Sequence, residues 1–79
     1  MDSKDAAISA TPADLNGRAA ARIRATREAA GLSQGDLAAR AGLSRPSLAN
    51  IEAGRQTITL RQLGAIAYAL RIRAADLLL

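Results

Sequence analysis

The sequence contains no cysteine, histidine, tryptophan or phenylalanine, and its single aromatic residue is Tyr68. The lack of cysteine excludes a disulfide framework, and the lack of both cysteine and histidine excludes an ordinary zinc site. Histidine is also the side chain most often used for general acid–base catalysis. We therefore expect neither enzymatic activity nor a cofactor. A single aromatic side chain also argues against binding of single strands, because such proteins need several rings on which bases stack.

Long apolar runs are absent as well. No stretch approaches the roughly 20 apolar residues of a membrane-spanning helix. The N-terminus also lacks a basic segment followed by an apolar one, which is the pattern of a secretion signal. We therefore expect a cytoplasmic protein with no membrane contact. A length of 79 residues fits one domain, and the abundance of alanine favours helices over strands.

Positive charge predominates, with a formal net charge of +4. Residues 1–13 carry one lysine and two aspartates, whereas residues 14–79 carry ten arginines and five carboxylates. A basic surface on a compact domain suits a polyanionic partner, although solubility alone explains the composition equally well. Because the first residues are small and polar, we predict a flexible tail over 1–13 and a folded domain over 14–79.

Helix-start signals divide the folded part. The segment Thr11-Pro12-Ala13-Asp14 combines a capping residue, a first-turn proline and an acidic third position. It predicts a first helix that begins between Thr11 and Asn16 and ends at Gly31. Ser33, Ser44 and Thr59 repeat the cap, each with an apolar residue before it and another at the fourth helical position. The predicted later helices cover 34–41, 45–53, 60–70 and, at the terminal leucines, 74–78.

Apolar spacing predicts which faces are buried. On the first helix one face is formed by Leu15, Ala19, Ile23, Thr26 and Ala30. The predicted buried face of the fourth helix is formed by Leu60, Leu63, Ile66, Ala67 and Leu70. Between them, two short helices can share one small core through Leu37, Ala41, Leu43, Leu48 and Ile51. Ala38 is small where these helices must approach, and Gly42 falls at the turn, so the spacing over 32–54 predicts a helix-turn-helix.

These motifs resemble the phage-repressor/Cro family of helix-turn-helix regulators, also called the xenobiotic-response-element family. The resemblance rests on Gly31-Leu32-Ser33-Gln34, Leu37-Ala38, Gly42-Leu43-Ser44 and Ile51-Glu52-Ala53-Gly54. It implies an all-α, lambda-repressor-like bundle of five short helices. It also implies a sequence-specific regulator of transcription that binds double-stranded DNA. The sequence departs from the family at Arg71, where glycine is usual, and near Arg73, where a capping residue is usual.

The third predicted helix is the candidate for reading bases in the major groove. Because Leu48 and Ile51 must face inward, four other residues are directed outward: Arg45, Pro46, Ala49 and Asn50. Arginine can bind guanine through O6 and N7, asparagine can pair with adenine, and alanine can touch a thymine methyl group. Pro46 stiffens the end of the helix that would enter the groove. The alternative is that Arg45 binds only phosphate and that Asn50 is solvated.

Other residues are candidates for the DNA backbone. Ser47 suits a phosphate or a local backbone hydrogen bond. The resemblance implies that Gln34 spans from a phosphate to the recognition helix. It also implies that a loop approaches the sugar-phosphate backbone through Arg55, Thr57, Thr59 and Arg61, for which a solvated loop is the alternative. In the family the residues matching Arg27 and Glu52 form an internal ion pair, which we prefer to a DNA contact by Arg27.

One such module touches few base pairs, so a homodimer reading two half-sites is expected. The C-terminal helix and terminal leucines are the candidate interface, and repression is the default mode of action. Two alternatives stay open. One is an antitoxin-like module that binds a partner toxin and its own operator, and the other is a restriction–modification controller protein.

Overall fold

The computed structural model describes residues 11–79, so most of the predicted tail lies outside the described residues. The elements are α1 (Pro12–Ala29), α2 (Gln34–Ala41), α3 (Arg45–Glu52), α4 (Leu60–Leu70) and a 3-10 helix (Ala74–Leu77). This part of the chain is all-helical, as the sequence predicts. Within it, no helix has the length and apolar character needed to cross a membrane.

Three of the helices, α1, α2 and α4, begin with the same kind of side-chain cap. The Thr11 hydroxyl accepts from the Asp14 backbone N–H, and Ser33 and Thr59 do the same for Asp36 and Gln62, at 3.0–3.1 Å. In each case the third helical residue accepts the N–H of the capping residue in return. Hydrogen bonds from the backbone and hydroxyl of Ser33 lower the pKa of Asp36. Pro12 and Ala13, placed in the predicted tail, belong to the first turn of α1.

The core lies where the helices meet. Its largest fully buried side chains come from every element: Ile23, Leu37, Leu48, Ile51, Ile66 and Leu77. Small residues of α1, α2 and α4 complete it, namely Ala19, Ala38 and Ala67. Because these alanines lack bulk beyond Cβ, the helix axes can approach closely. The shared core therefore fixes the angle of α3 against the rest of the domain.

Three residues on the predicted apolar faces are exposed, and for Leu60 the expectation of burial is wrong. Leu60 is 87% exposed although it continues the apolar spacing of α4. It is the first residue of that helix, and the core begins one turn later at Leu63. Leu15 and Ala30 are also exposed, because they lie near the two ends of α1, beyond the reach of the core.

The C-terminal helix is shorter than predicted and of a different type. Residues 74–77 form a 3-10 helix, and the side chain of its N-cap residue, Arg73, makes no capping hydrogen bond to the backbone. Leu77 is buried, so the segment is anchored despite its short length. The Leu78 carbonyl accepts a hydrogen bond from Arg18 Nη1 of α1 at 3.2 Å. The chain end is therefore packed on the first helix, while Leu79 stays exposed.

Arg71 ends α4 in the left-handed region, with φ 59° and ψ 40°. This conformation crowds the Cβ of any L-residue and costs roughly 1–2 kcal/mol. Arg71→Gly is therefore expected to raise the free energy of unfolding by about 1 kcal/mol, or the melting temperature by about 4–8 °C for a domain of this size. Arg71→Ala is the control, since it removes the same charge and keeps the strain. Equal melting temperatures for the two variants would show that the left-handed conformation at position 71 is not strained.

Candidate nucleic-acid interface

The turn between α2 and α3 holds the two helices at a fixed angle. Gly42 occupies the left-handed region with φ 68°, and the Leu43 N–H donates to the Ala38 carbonyl at 2.8 Å. Leu37 and Ala38 of α2 are buried, as are Leu48 and Ile51 of α3. The predicted helix-turn-helix is therefore present, with the inward residues that the spacing indicated.

The outer face of α3 carries the four candidate base contacts. Arg45 and Pro46 are exposed in its first turn, while Ala49 and Asn50 are half-buried in the second. Within residues 11–79, the side chains of Arg45 and Asn50 form no hydrogen bond that would hold them away from a ligand. One helix thus presents a guanidinium, a methyl group and a carboxamide. These are the groups that suit guanine, thymine and adenine edges in the major groove.

The N-terminal end of α3 is electrically positive. Ser44 caps it by accepting from the Ser47 N–H at 3.2 Å, and no acidic side chain lies in the first turn. The helix dipole and the Arg45 guanidinium therefore add at this end, which favours an anionic ligand. The Ser47 N–H donates to the capping hydroxyl, and the side chain of Ser47 is half-buried.

Gln34 connects the two helices of the motif. It is the first residue of α2, and its Nε2 donates to Glu52 Oε1 at the end of α3, at 3.1 Å. The amide group is thus used inside the protein. The backbone N–H of Gln34 lies in the first turn of α2, where N–H groups have no acceptor within the helix and can bind a phosphate.

Arg27 of α1 and Glu52 of α3 form the ion pair that the family resemblance implies. Arg27 Nε donates to Glu52 Oε2 at 2.7 Å, and Nη2 donates to Oε1 at 2.9 Å. Arg27 Nη1 also donates to the Leu32 carbonyl at 2.9 Å. The side chains are only 11% and 3% exposed, and the hydrogen bond to Glu52 raises the pKa of Arg27. This fork ties α1 to both helices of the motif.

The loop after α3 carries most of the other candidates. Arg55, Thr57, Thr59 and Arg61 are all exposed, and the Thr59 hydroxyl is used by the cap of α4. The loop is held from α1 by Asn16, whose Oδ1 accepts the Ile58 N–H at 2.9 Å. Sequence reasoning considered Asn16 only as a helix cap and missed this contact. The available signal was weak, namely a poor helix former placed inside an amphipathic helix.

Among residues 11–79 no acidic side chains cluster as metal ligands would. The outer face of α3 and the following loop instead offer arginines, hydroxyls and the carboxamide of Asn50. This chemistry suits a phosphodiester backbone and base edges.

Comparison with known proteins agrees with this geometry. The helix-turn-helix family model HTH_3 matches residues 23–77. No curated protein sequence matches the chain. The fold is similar to that of the restriction-modification controller protein C.AhdI from Aeromonas hydrophila, with 34% identity and a TM-score of 0.76, covering 78% of this chain and 94% of that one.

Two further structures are similar. The hypothetical transcription factor NHTF from Neisseria shares 34% identity over 89% of this chain and 80% of its own, with a TM-score of 0.80. The clp gene regulator ClgR from Corynebacterium glutamicum shares 28% identity over 81% of this chain and 68% of its own, with a TM-score of 0.77. The resemblance found in the sequence is thus confirmed. The chain belongs to the HTH_3 family of helix-turn-helix proteins, and it is a DNA-binding transcriptional regulator.

Proposed function

We propose that the protein is a dimeric repressor that reads the major groove of double-stranded DNA with α3. The observation that carries this proposal is the outer face of α3, where Arg45 and Asn50 lie opposite the buried Leu48 and Ile51. An α-helix fits the major groove, where each base pair presents a distinct pattern of donors and acceptors. Such a protein acts in the compartment that contains the chromosome, which we propose to be the cytoplasm.

Each group on α3 has a proposed partner. Arg45 binds guanine through O6 and N7, Asn50 binds adenine through N6 and N7, and Ala49 touches a thymine methyl group. Pro46 limits the flexibility of the first turn without sacrificing a hydrogen bond, because the N–H groups there are unpaired anyway. Base readout therefore comes from one side of a single helix, two turns long.

Methylation interference tests this proposal. Guanine N7 methylation blocks the major-groove acceptor that Arg45 is proposed to use, so methylation at one or two guanines per half-site is expected to prevent binding. Methylation of adenine N3, which lies in the minor groove, is expected to have little effect. The opposite pattern would show that the protein reads the minor groove instead.

The DNA backbone is proposed to contact α2, α3 and the loop after α3. Gln34 would contribute its backbone N–H and Ser47 its hydroxyl. The flanking loop would contribute Arg55, Thr57 and Thr59, and the first turn of α4 would contribute Arg61. Contacts to phosphate fix the register of the protein on the duplex and supply affinity that depends on salt but not on sequence.

Arg61→Ala is expected to weaken binding to all duplexes alike. Loss of one phosphate contact releases about one fewer counterion, so the slope of log K against log salt should become shallower by about 0.9. The control is Arg73→Ala, which removes the same charge from the far end of the chain, where Arg73 pairs with Asp76. Titration at several salt concentrations measures both slopes. A change at Arg73 as large as that at Arg61 would show a net-charge effect and remove Arg61 from the interface.

We also propose a homodimer formed through the C-terminal segment. Leu79 is exposed, and Leu78 beside it lines an apolar groove together with Leu15 and Leu63. A twofold pair would cover these leucines and place the two copies of α3 about 34 Å apart, one turn of DNA. Sedimentation of the protein on its duplex measures the stoichiometry, and one copy per specific site would contradict the dimer.

A restriction–modification controller is a second candidate, favoured by the similarity to C.AhdI over 94% of that chain. It predicts that the operator lies before genes for a restriction enzyme and a methyltransferase. The antitoxin-like alternative predicts a toxin gene beside this one. A toxin partner stays a prediction.

A further inference from the structure

The loop between α3 and α4 has few internal hydrogen bonds. The Arg55 N–H donates to the Asn50 carbonyl at 3.0 Å, and the Thr59 N–H donates to Gln62 Oε1 at 3.0 Å. Within residues 11–79, the backbone N–H groups of Gln56 and Thr57 have no protein acceptor. The two ends of the loop are thus secured by the adjoining helices, and its middle needs support from elsewhere.

Asn16 supplies that support. Its Oδ1 accepts the Ile58 N–H at 2.9 Å across 42 positions of sequence, in a part-buried setting. Ile58 also packs against the core. Because the hydrogen bond to Asn16 fixes the backbone of Ile58, it also fixes the position of the preceding residue, Thr57, next to α1. Asn16 and Thr57 line the same surface grooves at this junction.

We propose that Asn16 is a positioning residue for the phosphate-contacting loop. It touches no DNA in this proposal; it keeps the loop from Arg55 to Ile58 in the geometry that meets the backbone. This inference rests on the proposed role of that loop. It adds that α1 takes part in DNA binding through a single carboxamide, as well as through the ion pair of Arg27 with Glu52.

The proposal predicts two linked effects of Asn16→Ala. Amide exchange at Ile58 should accelerate at least tenfold, while exchange at Leu48, inside α3, stays as in the wild type. Binding to duplexes of any sequence should weaken by about three- to tenfold under conditions where circular dichroism shows the variant fully folded. Asn16→Asp keeps the acceptor oxygen and should restore slow exchange at Ile58, although its added charge makes it unsuitable for the affinity comparison.

A double-mutant cycle separates positioning from a general loss of stability. In a background that already lacks the loop contacts, Arg55→Ala with Thr57→Ala, the effect of Asn16→Ala on affinity should largely disappear. In an Arg45→Ala background it should persist in full, because α3 is not the element that Asn16 holds.

The outcomes are distinguishable. Unchanged exchange at Ile58, or an undiminished affinity loss in the loop-deficient background, would overturn the role of Asn16 while leaving the proposed DNA interface intact. If the removal of Arg55 and Thr57 does not itself weaken binding, the loop is not an interface. That result would overturn both the proposed backbone contacts of the loop and this inference.

Discussion

Glu52→Gln is expected to lower the free energy of unfolding by about 1.5–3 kcal/mol, the usual contribution of hydrogen bonds to a charged group. The Glu52 side chain is 3% exposed and accepts hydrogen bonds from Arg27 and Gln34. Glutamine keeps the shape of the side chain but removes the charge that pairs with Arg27, which is then left, among residues 11–79, with Glu28 at 3.8 Å as its only acidic neighbour within ion-pair distance. It also offers an N–H₂ group where the arginine fork needs an oxygen.

Chemical denaturation of the two proteins measures this loss, and thermal unfolding should show it as a melting temperature lower by about 6–24 °C. The matched control is Arg24→Gln, which breaks the Arg24–Glu28 pair at 2.8 Å, whose side chains are 67% and 56% exposed, and leaves the Arg27 contacts in place. An exposed pair of this kind adds little to stability. Equal losses at positions 24 and 52 would contradict the account of the ion pair.

A variant that removes both partners separates the stability that the pair contributes from the cost of leaving one charge unpaired. Arg27→Met combined with Glu52→Leu leaves no buried charge, so it should recover much of the stability that Glu52→Gln loses. If the double variant is less stable than Glu52→Gln, the ion pair itself, and not merely the avoidance of an unpaired charge, stabilises the fold.

The second large effect is expected in base readout. Arg45→Ala and Asn50→Ala should each lose about 1–3 kcal/mol of discrimination between the right and wrong base at one position of the half-site. This corresponds to about 5- to 150-fold in relative affinity. The positions should differ between the variants, since Arg45 and Asn50 lie on successive turns of α3.

Competition binding with duplexes altered at one base pair at a time measures these losses. The wild-type preference for guanine should vanish in Arg45→Ala, and the preference for adenine should vanish in Asn50→Ala. Arg61→Ala serves as the control, because it should lower affinity for every duplex and change no preference. Preferences that survive in Arg45→Ala would assign this arginine to phosphate alone.

The helix-turn-helix could be predicted from sequence because its signals are local and agree. Ser33 and Ser44 place the starts of α2 and α3, and Gly42 provides the left-handed turn between them. Leu48 and Ile51 then determine which side of α3 faces the core. The caps, the glycine and the apolar spacing all indicate the same arrangement, so these local signals are sufficient to predict the motif.

Other features depend on tertiary contacts, which the spacing of apolar residues in the sequence does not reveal. Leu60 matches the apolar stripe of α4, yet it is exposed because no described part of the chain covers the first turn of that helix. Residues 74–77 form a 3-10 helix of four residues, and the spacing of the terminal leucines does not distinguish it from a short α-helix. The hydrogen bond from Ile58 to Asn16 spans 42 positions and has no local signature.

Selection from a pool of random duplexes tests the central claim most directly, that α3 reads base edges in the major groove. The wild-type protein is expected to enrich two inverted half-sites about one helical turn apart, each containing a guanine and an adenine in fixed positions. The double variant Arg45→Ala with Asn50→Ala should still bind duplexes at low salt but enrich no such motif. Enrichment of the same motif by both proteins would contradict the account, because the specificity would then reside outside the outer face of α3.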